Sequence, residues 1–185
     1  DFKNTISFFE IGGGFGANIH FLITNFPNIK KILYLDLVPN IYVGTEYLRH
    51  HYKEKVKDYL ELRNLDKINF SKNNELEIFC IPPWLIEKVE TEIDHFHNAA
   101  SFVEMPKTVI NNYVKFIKKF KTKEISLISY DHLIPFDHLG LIDLKTTCNP
   151  EELNSFFNDK LSVSWEDTLI EEYKRKFIYL TSNKQ

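Results

Sequence analysis

Hydrophobic and polar positions follow two regimes along the chain. Short runs of β-branched and aromatic residues stand between longer stretches in which apolar side chains return every three or four positions. The short runs predict strands at Thr5–Ile11, Lys31–Leu37, Leu76–Ile81, Glu92–Ala99 and Glu124–Tyr130. Most are almost continuously apolar, as a sheet covered on both faces requires. Helical spacing predicts helices over Ala17–Asn25, Ile41–Leu62 and Pro106–Phe120. The last sets Val109, Ile110, Tyr113, Val114, Phe116, Ile117 and Phe120 against a lysine-rich face, with Pro106 suited to the first helical position. Beyond Tyr130, a loop containing Pro and Asp leads to a short helix, Pro150–Asn158, and two closing strands, Leu161–Leu169 and Lys176–Thr181. Strands alternating with helices in this way predict a doubly wound α/β fold.

Composition narrows the class. The 185 residues fit one domain and leave no room for two independent cores. With 43% hydrophobic and 26% charged residues the chain belongs with globular proteins, not disordered or fibrous ones. A net charge of −3 offers no general attraction for a polyanion, so nucleic acid is not an expected partner. The apolar runs fall short of the roughly 20 residues that cross a bilayer, so membrane insertion is not expected and the expected setting is cytoplasmic. Cys80 and Cys148 lack zinc-type spacing and make no disulfide framework, which leaves them as buried small apolar side chains. The chain starts at Asp1 and enters a strand-like run within a few positions, so a natural N-terminal part is expected upstream.

Four of the six glycines, Gly12, Gly13, Gly14 and Gly16, fall in the single segment Glu10-Ile-Gly-Gly-Gly-Phe-Gly16. A strand, a glycine cluster and a helix in succession let backbone approach a ligand closely, because glycine has no Cβ and accepts positive φ. Gly12-x-Gly14-x-x-Ala17 also satisfies the dinucleotide fingerprint, a weak match by itself. Glu10 discriminates between ligands. Its carboxylate would repel a pyrophosphate but attract the ammonium and sulfonium of S-adenosylmethionine. Asp36 stands 20 residues beyond Gly16, at the end of the second strand, where an acidic side chain reaches ribose hydroxyls. The alternative for Asp36 is a turn or helix cap before Val38-Pro39.

The segment Phe8–Gly16 followed by Asp36 resembles the first two motifs of class I S-adenosylmethionine-dependent methyltransferases. In the run Ile93–Pro106, the residues Asn98, Ser101, Phe102, Glu104 and Met105 resemble the fourth-motif region of the sugar O-methyltransferase family. The resemblance implies a Rossmann-like, mostly parallel sheet of seven strands with a reversed final strand, S-adenosylmethionine as cofactor and a sugar or glycan acceptor. It also implies that Asn98 and Ser101 shape the pocket, Asn98 toward the cofactor and Ser101 toward the substrate, and that Glu104 is the shared carboxylate.

Methyl transfer to a hydroxyl needs an in-line approach and a group to take the proton. Glu104, after the fourth strand, and His132, after the fifth, are the candidate bases. Each has a plainer reading, Glu104 as a helix-terminal carboxylate and His132 as a surface side chain. Ile81 and Pro82, ending the third strand, are candidates to line an adenine slot, although consecutive prolines also simply stop a strand. His95 and His97 read better as core or hydrogen-bonded histidines than as metal ligands, and no metal site is expected. Two rivals stay open: a nicotinamide-dependent Rossmann oxidoreductase and a non-catalytic methyltransferase-like binding module.

Overall fold

The computed structural model describes residues 2–130, 149–158, 160–167 and 176–182. The chain packs as two compact units, one within Asp1–His97 and Phe120–Lys123 and the other within Asn98–Lys119 and Glu124–Gln185.

In the first unit, β1 (Ser7–Ile11) pairs in parallel with β2 (Lys31–Leu35) on one side and with the start of β5 (His95–Ala99) on the other. β2 continues in parallel to β4 (Glu77–Ile81), and β4 to the two-residue β3 (Val56–Lys57). The order β3-β4-β2-β1-β5 therefore reverses direction at β1, as in a doubly wound sheet. All five residues of β1 and of β2 are buried, so both faces are covered. Alternation assigns the faces. Phe8, Ile32, Tyr34, Ile78 and Cys80 share one core cluster with Ile19 and Leu22 of α1 (Ala17–Asn25) and Ile41 and Leu48 of α2 (Asn40–Tyr52). On the other face Phe9 meets the rings of Phe96 and Phe120, with centroids 5.2 and 5.7 Å away. His95 is a core histidine, its ring stacked on Phe8 at 5.6 Å.

The helix expected over Ile41–Leu62 is broken. α2 stops at Tyr52, a short 3-10 turn follows, β3 forms at Val56–Lys57, and α3 (Tyr59–Leu62) starts afresh. Lys53 takes φ 50°, ψ −123°, which leaves the helical region. Val56 is buried and pairs with Ile78, while the Asp58 carboxylate accepts the N–H groups of Leu60 and Glu61 and an ion pair from Arg49 at 2.7 Å. Pairing and a new N-cap thus outweigh the helical spacing.

In the second unit, β8 (Lys176–Ser182) runs antiparallel to both β6 (Glu124–Tyr130) and β7 (Leu161–Asp167), so the final strand is reversed as expected. The expected run to Leu169 has its last two positions outside the described residues. α4 (Lys107–Lys119) buries Ile110, Tyr113, Val114 and Ile117 and leaves Val109 exposed. α5 (Pro150–Phe156) opens with a capping box between Asn149 and Glu152. No helix among the described residues is long and apolar enough to cross a membrane.

The side chain of Lys53 is exposed, so only its backbone is strained. Lys53→Gly should therefore raise folding stability by about 1 kcal/mol. The expected readout is a higher urea midpoint with an unchanged slope.

Candidate functional site

β1 carries Glu10 to the carboxyl end of the sheet, Gly12–Gly16 turn the chain, and α1 begins at Ala17. The turn lies directly on Glu10. A Cβ on Gly13 would stand 2.9 Å from Glu10 Oε2 and 3.1 Å from the Tyr34 ring, so the absence of a side chain lets the turn settle onto both without displacing them. Gly14 is the opposite case: its φ is 59°, and a Cβ there would meet nothing within 4 Å. The backbone at Gly14 therefore borders open space.

Neighbouring residues hold the turn in place. Gly12 N–H donates to Leu35 O at 2.8 Å, Gly14 N–H to Asp36 Oδ2 at 2.8 Å, and Gly16 N–H to Gly13 O at 3.0 Å. The Tyr34 hydroxyl donates to Gly14 O. Tyr34 and Asp36, two positions apart in sequence, thus take the carbonyl and the N–H of the same glycine. The other Asp36 oxygen, Oδ1, accepts Leu37 N–H at 2.7 Å.

Burial dominates the electrostatics of the turn. Glu10 is 2% exposed, Oε1 accepts from Asn18 Nδ2 at 2.8 Å, and buried Oε2 has no hydrogen-bond partner. Burial pushes its carboxyl up to about 7, opposed by the Asn18 bond and reinforced by Asp36. Burial also raises the Asp36 carboxyl, against the N–H groups of Leu37 and Gly14 and the Asn40 side chain, which favour its charged form. A buried acid with an orphaned oxygen and a second acid beside an open glycine turn suit a ligand that brings positive charge and hydroxyl donors. A pyrophosphate at the turn would bring its negative charge against Glu10.

Of the residues singled out in the sequence, Glu10, Gly12, Gly13, Gly14, Gly16 and Asp36 form this constellation. Ile81 and Pro82 are buried where β4 ends, and Pro82 leads into a 3-10 helix, Pro83–Lys88, with Trp84 exposed. In the second unit Asn98 is 1% exposed, its Nδ2 donating to Ser101 Oγ at 2.5 Å and its Oδ1 accepting Phe102 N–H at 3.1 Å. These bonds hold the turn at Ala100, φ 64°, and launch the 3-10 helix Ser101–Glu104. Glu104 ends that helix with its side chain exposed. His132 lies outside the described residues. Sequence reasoning missed Tyr34, Asn18 and Gly44. A tyrosine inside an aliphatic strand and a lone glycine inside a helix were the available signals.

No family model matches the chain, and no curated protein sequence matches it. Solved structures do. The pyocyanin biosynthetic protein PhzM superposes with a TM-score of 0.58 at 12% identity, covering 99% of this chain and 52% of that one. Human N-acetylserotonin methyltransferase, solved in complex with SAM, gives 0.55 at 13% identity over 100% of this chain and 49% of its own. The methyltransferase domain of a bacterial protein, CtHen1-CN, gives 0.57 at 11% identity, covering 96% of this chain and 91% of that one. The chain thus spans about half the length of the first structures it matches. The likeness shows a class I methyltransferase fold.

An acid shifted from 4.5 to about 7 by folding binds more protons when folded, so its contribution to stability falls between those two pH values and is level outside them. The loss amounts to about 3 kcal/mol. Glu10→Gln removes the charge and keeps the shape. Its unfolding midpoint at pH 8 should therefore exceed that of the wild type, with the advantage fading as pH falls toward 4. An advantage independent of pH would show that Glu10 does not titrate as assigned.

Proposed function

We propose that residues 1–185 form one S-adenosylmethionine-binding methyltransferase domain that methylates an oxygen, with the hydroxyl of a sugar or glycan as acceptor. The observation that carries the reading is the orphaned, buried Glu10 carboxyl beneath an open glycine turn whose other wall is Asp36. Glu10, Gly12, Gly13, Gly14, Gly16 and Asp36 would hold the cofactor, with Ile81, Pro82 and Asn98 completing the set on the strength of the motif resemblance. The bound cofactor supplies an electrophilic methyl group on a sulfonium.

The protein's own part follows from its charges and shape. Glu10 presents negative potential behind the loop, where a cationic ligand restores the charged form that burial disfavours. Asp36 offers acceptor lone pairs not used by Gly14 and Leu37 to hydroxyl donors. On the acceptor side, Ser101 would orient the hydroxyl, and Glu104, with His132 as second candidate, would take its proton as the oxygen attacks. The sugar rests on the Ser101-Phe-Val-Glu-Met105 likeness. One of the similar structures is named a mitomycin 7-O-methyltransferase, which supports oxygen as the methylated atom. Against the nicotinamide reading stands Glu10, whose charge a pyrophosphate at the glycine turn would oppose. Calorimetry comparing a nicotinamide dinucleotide with S-adenosylhomocysteine separates the two, and cofactor binding without turnover on any acceptor would favour the non-catalytic module.

S-adenosylhomocysteine should bind the wild-type chain, and Asp36→Ala should weaken that binding tenfold or more, since hydrogen bonds to a charged acceptor contribute about 1.5–3 kcal/mol each. Unchanged affinity in a folded Asp36→Ala protein discards the assignment. For the acceptor side, Glu104→Gln in the full-length protein should lower kcat about 10²- to 10⁴-fold with cofactor affinity nearly unchanged. If His132→Ala produces that split and Glu104→Gln does not, the base is His132.

A further inference from the structure

Three of the turn's glycines, Gly12, Gly14 and Gly16, have φ of 75°, 59° and 85°. Glycines restrict their own backbone least of all residues, so the orientation of the Gly14 peptide groups has to be imposed from outside. Two side chains, Tyr34 in β2 and Asp36 just beyond its end, do this. Asp36 takes the Gly14 N–H, and the Tyr34 hydroxyl donates to the Gly14 carbonyl, with a longer contact of 3.5 Å to Asn40 O at the start of α2. The Tyr34 ring is 0% exposed, and its hydroxyl end is seated against Gly44 of α2. A Cβ on Gly44 would come 2.9 Å from both Cε1 and Cζ of that ring. Gly44 is therefore a socket, and the tyrosine is locked between strand, turn and helix. Burial raises the pKa of the hydroxyl well above its ordinary value, so it stays a donor at any working pH.

We propose that Tyr34, seated in the Gly44 socket, is a positioning residue that orients the Gly14 peptide to receive the cofactor. The inference rests on the cofactor reading above and adds a residue to it. Asp36 has two duties, holding Gly14 and meeting ligand hydroxyls, and the pull of a ligand on Asp36 loosens the N–H side of the turn. The carbonyl side is held by a group no ligand competes for. Tyr34 thus keeps the turn formed while Asp36 is shared.

The test compares wild-type, Tyr34→Phe and Gly44→Ala chains by calorimetry with S-adenosylhomocysteine, beside thermal unfolding and amide exchange at Gly14. Tyr34→Phe deletes the hydroxyl and keeps the ring. It should bind about tenfold more weakly and exchange its Gly14 amide faster in the free protein. Gly44→Ala keeps the hydroxyl but drives it from its seat, and should show the same two changes. A merely structural tyrosine would lower the unfolding midpoint and leave the affinity of the folded protein and Gly14 exchange unaltered, and that result overturns the proposal. Failure of the wild-type chain to bind S-adenosylhomocysteine would instead overturn the cofactor reading, and this proposal with it.

Discussion

A carboxylate buried in a central strand costs several kcal/mol unless something repays it, and Glu10 sets the terms for everything around it. It is the one charged residue in β1, between Phe9 at 0% and Ile11 at 1% exposure. These two flanking apolar side chains each contribute about 1.5–3 kcal/mol by burial, enough to offset the roughly 3 kcal/mol that the acid withholds above pH 7. The strand can therefore carry it. The offset does not explain an acid where glutamine would fit, and one amide partner for two oxygens leaves a deficit that protonation relieves, or a cationic ligand as proposed above.

The same acid dictates the turn above it. Because Oε2 lies 2.9 Å from where a Gly13 Cβ would stand, any larger residue over Glu10 would displace the carboxyl. A turn made of glycines then has to be held by its neighbours, which places the demand on β2. Period-2 alternation puts Tyr34 and Asp36 on one face, so β2 and the residue just beyond its end supply both clamps. Gly44 follows from Tyr34 in turn. One buried charge thus propagates through a turn, a strand and a helix by steric contact and hydrogen bonding.

This chain of causes explains which parts were legible in the sequence. Clustered glycines after an apolar run, an acid before them and another at the end of the next strand are local signals, and the structure brings these residues together. Strand and helix positions were equally local, and α1 and β6 have the bounds their periodicity implies. Tyr34 was not legible because an aromatic residue in a buried strand satisfies the apolar pattern whether or not its hydroxyl works. Gly44 was opaque without Tyr34. The break after Tyr52 escaped notice because helical spacing persists through Val56, whereas its partner Ile78 lies 22 positions away. Asn98 shows a different limit. Its motif was visible, but the structure spends both ends of its amide on Ser101 and Phe102, so what the sequence presents as a site residue also builds the turn that carries Ser101 and Glu104.

Asp36 carries this argument one step further. A carboxylate has about four acceptor positions, and backbone N–H groups occupy one on each of its oxygens, with Asn40 nearby favouring the charge as well. Burial still wins, leaving the acid harder to ionise than one in water. A neutral acid would lose acceptor capacity and loosen its hold on Gly14, so the order of the turn and the charge of Asp36 are linked. Glu10 adds to the link, because each acid raises the other's cost of ionisation. A cation bound between them lowers both costs at once. If a cationic cofactor binds there as proposed, it would order the turn through charge as well as through contact and would offset the cost that the buried acids impose on the free protein.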